Sequence, residues 1–203
     1  MKRLILLMIT CYCLLPGHAN TDIASDSLLQ VLQTLPHDTA RLSTLNDIIK
    51  IEQNNYKCIQ YSDTLMQEAL KLKNDKYASL AAYYHLLYYY NRSEQDSVAK
   101  WIVRMEPYVQ RSGLWDYFFD AQRFQIDLYT FTEQYELAIS EANKMKQKAL
   151  NTNSNRGTVA AYQCLSNAYI GSQRWNEGLK ALEEAYRLLP KKGNAVVHIS
   201  VLS

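Results

Sequence analysis

The sequence predicts an all-α protein built as a solenoid of helical hairpins, and the main observation is a repeat of about 40 residues. Three tyrosines stand at that interval, namely Tyr89, Tyr129 and Tyr169. Nine residues after each of them comes a small or apolar residue, namely Val98, Ala138 or Gly178. No alternation typical of strands is sustained, and the proline and glycine breakers separate segments of helical length. Recurrence at one period over three units indicates a helical repeat array.

Residues 1–19 have the pattern of a secretory signal peptide. Lys2 and Arg3 form the positive start, and residues 4–15 form a largely apolar run. A small-x-small site of sequence GHA then precedes Asn20. These three features in this order predict cleavage during export, so the segment is set apart from the fold.

Two alternatives to cleavage remain open. An uncleaved anchor is disfavoured because the apolar run is too short to cross a bilayer core of about 30 Å. A lipoprotein would be acylated at Cys11 or Cys13, although neither follows the glycine, alanine or serine expected there.

After cleavage, residues 20–203 form one domain with 20 basic and 20 acidic residues. This balance disfavours a nucleic-acid-binding protein, which needs surplus cations to displace counterions from phosphates.

The first elements after the signal peptide are predicted to be helices. A leucine-spaced segment is interrupted by Pro36, and its leucines are Leu28, Leu29, Leu32 and Leu35. The first hairpin then combines the segments DTARLSTLNDIIKIEQ and NNYKCIQYSDTLMQEALKL, with a phase uncertain by one residue. The length of the repeat predicts longer helices or longer joins, and NTNSNRG (151–157) has the composition of the longest join.

The second and third hairpins follow the pattern less closely than the fourth. Pro107 is expected to end or kink the second helix of the second hairpin, because proline removes a helical hydrogen bond. The third hairpin has Ile126 where the fourth has Ser166, so its two helices are expected to splay slightly. The second hairpin has Leu86 at the same place.

The fourth hairpin, YQCLSNAYIGSQRWNEGLKALEEAYRLLP, resembles the tetratricopeptide repeat (TPR). Its small residues match the family at Ser166, Gly178 and Ala185, and Pro190 matches the closing proline. It departs from the family at Gln173, where a turn glycine is common. The resemblance covers residues 24–203 and implies about four repeats, an N-terminal helix and a partial fifth repeat cut at the end of the chain.

No residue pattern in the sequence points to catalysis, a cofactor or a metal. The histidines are scattered, and His85 lies among tyrosines and leucines where packing explains it. Neither HxxxH nor CxxC nor a phosphate-binding glycine loop occurs. Cys58 and Cys164 fall in the first and fourth hairpins, too far apart in a solenoid for a disulfide. We therefore expect a binding protein rather than an enzyme.

The resemblance implies a concave groove lined by the first helix of each hairpin. The expected lining residues are Tyr83, Leu87, Tyr90, Asn91, Arg123, Asp127, Phe131, Gln163 and Asn167. An alternative is that Tyr83 and Tyr90 pack between helices. The family's clamp for a carboxylate terminus needs lysine and asparagine where this chain has Arg123 and Asp127, so that clamp is absent. Arg123 and Asp127 are spaced i,i+4 on one helix and can form an ion pair with each other. The expected partner is a protein or peptide segment or a small polar ligand.

The layout of signal peptide, leucine-spaced helix and repeats resembles exported TPR regions of bacterial membrane-bound sensor histidine kinases and helix-turn-helix regulators. That resemblance implies a periplasmic or cell-envelope location and a role in signal transduction. The alternative is a free-standing scaffold in the same compartment. The reading frame after Ser203 distinguishes the two, because the first requires a transmembrane helix and an intracellular domain.

Overall fold

The computed structural model describes residues 17–52 and 56–189, and it gives side chains from residue 25 onward. Within these ranges the chain forms nine helices and no strand. They are α1 Gly17–Thr34, α2 Thr39–Ile51, α3 Lys57–Lys71, α4 Asp75–Tyr90, α5 Gln95–Ser112, α6 Trp115–Phe131, α7 Tyr135–Asn151, α8 Asn155–Gly171 and α9 Trp175–Arg187. Each helix packs against its neighbours in the chain, which confirms the predicted all-α class.

Three sequence predictions fall partly or wholly outside the described residues. The apolar run 4–15 lies outside them, as do Cys11 and Cys13. The predicted fifth repeat at 190–203 does too. The predicted cleavage site belongs to the first turns of α1.

The leucine-spaced segment forms a helix that ends at Thr34, as predicted except for Leu35, and this helix packs on the first hairpin. Leu32 is buried against the core, and Asp38 caps α2 by accepting hydrogen bonds from the N–H groups of residues 40 and 41. Arg41 then joins three elements. Its Nε donates to both carboxylate oxygens of Glu68 on α3, at 2.9 and 3.0 Å, and its Nη1 donates to the Leu32 carbonyl. α1 is therefore fastened to the first hairpin.

The turns between helices recur at an even spacing along the chain. From α3 to α9, one residue in each turn has a left-handed conformation, and these residues are Lys73, Ser93, Gly113, Glu133, Asn153 and Gln173. In five of these turns, the residue after the left-handed one donates its N–H to the carbonyl of the residue five positions before it. This hydrogen bond closes the helix by a Schellman motif. In the turns after α4, α6 and α8 that carbonyl belongs to Tyr89, Tyr129 and Tyr169, at 3.1, 2.8 and 2.8 Å. The tyrosine period therefore marks the helix ends.

The length of the repeat comes from long helices rather than long joins. α4 to α8 contain 16 to 18 residues each. The prediction that residues 151–157 form the longest join is wrong, because only residues 152–154 separate α7 from α8. Ser154 caps α8 by accepting a hydrogen bond from the N–H of Gly157, at 3.0 Å. The polar residues read as a loop are the cap and first turn of a helix, which favour the same residue types.

Pro107 does not end its helix, because α5 continues to Ser112. The two helices of the third hairpin contact each other less extensively than those of the second and fourth hairpins do. Leu86 at the same place does not open the second hairpin, so residue size at this position does not decide the spacing alone.

The core runs as one continuous apolar row along most of the hairpins. Small side chains lie where consecutive helices meet, and Ala138 and Ala142 on α7 are fully buried. Gly178 on α9 lies so near α8 that an added Cβ would meet Ile170 at 2.8 Å. Cys58 on α3 and Cys164 on α8 are buried in different hairpins.

We expect Gln173→Gly to raise the free energy of unfolding by about 0.5–1 kcal/mol. A left-handed residue with a side chain costs about 1–2 kcal/mol, and the greater unfolded-state entropy of glycine offsets part of the gain. Gly113→Ala is the opposite case, because its φ is +75° and no atom lies within 4 Å of the added Cβ. Urea denaturation of both variants checks this, and a shift in the same direction for both would contradict it.

Candidate functional site

A cavity of about 1080 Å³ lies between α6, α8 and the end of α9. One face of α6 forms the first wall, with Asp120, Arg123, Asp127, Thr130 and Phe131. The spacing of these residues, at i, i+3, i+7, i+10 and i+11, puts them on one side of the helix. The facing wall is α8, with Arg156, Ala160, Gln163 and Asn167 among its residues. Leu182, Leu188 and Leu189 close the third side.

The structure brings together the predicted groove residues of the third and fourth hairpins. Arg123, Asp127, Phe131, Gln163 and Asn167 all line this cavity. The four predicted residues of the second hairpin, namely Tyr83, Leu87, Tyr90 and Asn91, do not line it. Leu87 packs partly buried against the core, and Asn91 is exposed after the end of α4.

Aromatic rings fill the space between α4 and α6. The Tyr83 ring lies edge-on to Tyr117, with centroids 5.0 Å apart, and the Tyr90 ring lies 4.5 Å from Phe124. Burial raises the pKa of Tyr83 to about 12, and the Asp120 carboxylate adds to the effect. The alternative reading therefore holds for these two tyrosines, which pack between helices. The cavity between α6 and α8 therefore does not include these two tyrosines.

The charged side chains of the cavity form two ion pairs of different quality. Arg156 on α8 donates to Asp120 on α6 at 2.7 Å, which joins the two walls. Arg123 and Asp127 lie 3.9 Å apart on α6, beyond hydrogen-bond distance. The predicted i,i+4 pair therefore exists as a loose contact.

Burial is uneven across these pairs. The side chains of Asp120 and Asp127 are 20% and 19% exposed, whereas those of Arg156 and Arg123 are 62% and 39% exposed. Burial raises the pKa of both carboxyls, although the nearby guanidinium groups lower it. The acceptors thus lie deeper than the donors, and their charge is incompletely compensated.

The apolar part of the cavity includes a buried thiol and an exposed ring. Cys164 is 2% exposed, and burial raises the pKa of its thiol, which keeps it protonated and unreactive. Phe131 is 74% exposed beside Asp127. Exposed aromatic rings next to polar groups are typical of binding surfaces, because they combine a large contact area with low conformational cost.

The sequence did not reveal Arg156 or the two leucines after α9 as part of the site. Arg156 was missed because residues 151–157 were read as a loop. It lies one helical turn before Ala160, so a longer α8 would have placed it on the lining face. Leu188 and Leu189 follow the last helical residue, and no helical periodicity extends to them.

Comparisons with protein families, with curated proteins and with solved structures found no match for this chain. Among residues 17–52 and 56–189, no cluster of histidine, cysteine and acidic side chains could hold a metal ion. No helix in the same ranges is both long and apolar enough to span a membrane.

Proposed function

We propose that the chain is a TPR-type solenoid that binds a protein segment in the cavity between α6 and α8. The TPR assignment is supported by hairpins of similar length, joined by turns whose left-handed residues are evenly spaced. Small residues such as Ala138 and Gly178 are buried at the helix contacts, as the family requires.

The observation that carries the binding proposal is the composition of the cavity. It combines a loose ion pair, side-chain amides and apolar surface in a volume of about 1080 Å³. Binding sites are concave and mainly apolar with a few directed polar groups, and this volume lies just above their usual range of about 300–1,000 Å³. The charged groups contact one another and the thiol is buried, so the chemistry favours recognition over catalysis.

We further propose that the protein is exported and serves as the extracytoplasmic sensory part of a longer bacterial signalling protein. This rests on the signal-peptide pattern at 1–19 and on the resemblance in layout. Sequencing past Ser203 tests it, because a transmembrane helix followed by a kinase or DNA-binding domain is expected. A stop codon after further repeats would favour the free-standing scaffold.

Peptides that bind the protein can be selected from a randomised library with the wild type. We expect these peptides to bind the Asn167→Trp variant at least about tenfold more weakly than the wild type. Asn167 is exposed and lines the cavity, so an indole there occupies the space of the ligand. Gln147→Trp is the matched control, because Gln147 is an exposed amide on α7 outside this cavity. Fluorescence anisotropy with labelled peptides gives both affinities. Equal binding to the wild type and Asn167→Trp would refute the cavity as the site.

A further inference from the structure

The loose ion pair on α6 leaves two charged groups with hydrogen-bonding capacity directed to the cavity. Arg123 and Asp127 are 3.9 Å apart, and Arg123 also lies over the Phe124 ring, with its guanidinium carbon 4.9 Å from the centroid. Asp120 differs, because Arg156 already bonds to it at 2.7 Å. A ligand can therefore insert its own donor and acceptor between Arg123 and Asp127 without breaking a good hydrogen bond.

Resting on the proposed binding function, we infer that the occupant is an extended peptide segment with a basic and an acidic side chain two residues apart, flanked by apolar residues. The basic group contacts Asp127 and the acidic group contacts Arg123. This recognition is by an exchange of ion pairs: the loose internal pair is replaced by two pairs between protein and ligand.

The charge balance of the cavity favours an occupant with both signs over one with a single sign. The lining residues contribute two carboxylates, Asp120 and Asp127, and two guanidinium groups, Arg123 and Arg156. Their charges sum to zero, so a ligand of one sign gains from one partner and is repelled by its neighbour. A ligand with one charge of each sign can form two favourable ion pairs with the cavity. Hydrogen bonds between ionised groups are also stronger than those between neutral groups.

The spacing of the two groups matches an extended peptide. Side chains at i and i+4 on a helix have Cβ atoms about 5–6 Å apart. Residues i and i+2 of an extended segment face the same side and are about 6.7 Å apart. The apolar flanks then reach the exposed ring of Phe131 at one end and Leu188 and Leu189 at the other.

The test uses four acetylated and amidated pentapeptides with leucine at both ends and alanine at the centre. Positions two and four are lysine with glutamate, lysine with glutamine, glutamine with glutamate, or two glutamines. Such peptides are too short to form a helix in water, so they sample extended conformations. Titration of the isotope-labelled protein, followed by amide chemical shifts of α6 and α8, gives a Kd for each. We expect the doubly charged peptide to bind about tenfold more tightly than the neutral one.

Charge-specific variants separate recognition from general packing. Asp127→Asn is expected to remove the gain in affinity that the lysine of the peptide gives and to keep the gain that the glutamate gives. Arg123→Gln is expected to remove the gain from glutamate and to keep the gain from lysine. Asp96→Asn on α5 is the control, because Asp96 is exposed and outside the cavity. Circular dichroism verifies that each variant is folded.

Each outcome bears on one of the two proposals. Equal affinities for all four peptides, with shifts at the cavity, would overturn the ion-pair exchange and leave the binding function standing. No shifts at the cavity for any peptide would overturn the exchange as well. The proposed binding function is contradicted only if library-selected peptides bind Asn167→Trp as tightly as the wild type.

Discussion

Phe119→Ala is expected to lower the free energy of unfolding by about 3–5 kcal/mol. Phe119 is 1% exposed on α6, and its ring centroid lies 6.0 Å from that of Phe118 and 6.1 Å from that of Trp115. It also contacts the start of α8, so its removal leaves a cavity between the third and fourth hairpins. Urea denaturation followed by far-ultraviolet circular dichroism measures the loss.

The matched control for this substitution is Phe131→Ala on the same helix. Phe131 is 74% exposed, so we expect its loss to change the free energy of unfolding by less than about 0.5 kcal/mol. Similar losses for the two variants would mean that the hairpin interface does not depend on Phe119.

The contact between Phe119 and Gly157 explains why α8 begins with a glycine in its first turn. A Cβ at Gly157 would lie 2.5 Å from Cδ2 of Phe119, whose ring is buried among its neighbours. Gly157→Ala is therefore expected to destabilise by about 1–3 kcal/mol, although alanine is the better helix former. In the Phe119→Ala background the same change fills part of the cavity and should become neutral or stabilising. An unchanged sign in the double variant would contradict this account.

The order of helices could be read from the sequence because small and aromatic residues recur at fixed intervals. Tyr89, Tyr129 and Tyr169 mark helix ends, since their carbonyls accept the bonds that close the turns. The left-handed residues themselves could not be read, because Glu133 and Gln173 lack the preference of glycine for this conformation. Their backbone is imposed by the packing of the two helices that each turn joins.

Part of the candidate site could be predicted from the sequence, and the rest depended on tertiary packing. The face of α6 with Arg123 and Asp127 was implied by the resemblance to the TPR, whose groove positions fall on one side of a helix. Tyr83 and Tyr90 have the same periodicity on α4, but Phe124 and Tyr117 of α6 occupy the space in front of them. A sequence pattern gives the side of a helix on which a residue lies, and it does not show whether a neighbouring side chain fills that space.

The second large expected effect concerns pH and the buried His85. Its ring stacks on Trp101 of α5, with centroids 4.0 Å apart and planes 4° from parallel. Nε2 lies 3.2 Å from the Asp63 carboxylate on α3, but within the described residues neither ring nitrogen makes a hydrogen bond. Burial lowers the pKa of His85 to about 4, with the Asp63 charge opposing this and Arg104 adding to it.

Because the pKa of His85 is lowered by folding, the sign of the pH effect is fixed. Well above pH 6.5 the ring is neutral in both states and its contribution to stability is complete. As pH falls from about 6.5 to about 4, His85 is protonated in the unfolded chain but stays neutral in the folded protein, so the free energy of unfolding decreases. Between pH 7 and 4.5 this one group is expected to remove about 2 kcal/mol from the free energy of unfolding.

His85→Phe isolates this contribution, because it keeps a ring against Trp101 and removes the titrating group. Titration of acidic residues that do not contact His85 affects the wild type and the variant alike, so it cancels in the difference between their pH profiles. We expect the wild type to lose about 2 kcal/mol more than His85→Phe between pH 7 and 4.5. Parallel profiles for the wild type and His85→Phe would mean that His85 accepts its proton in the folded protein, which requires the Asp63 carboxylate to outweigh burial.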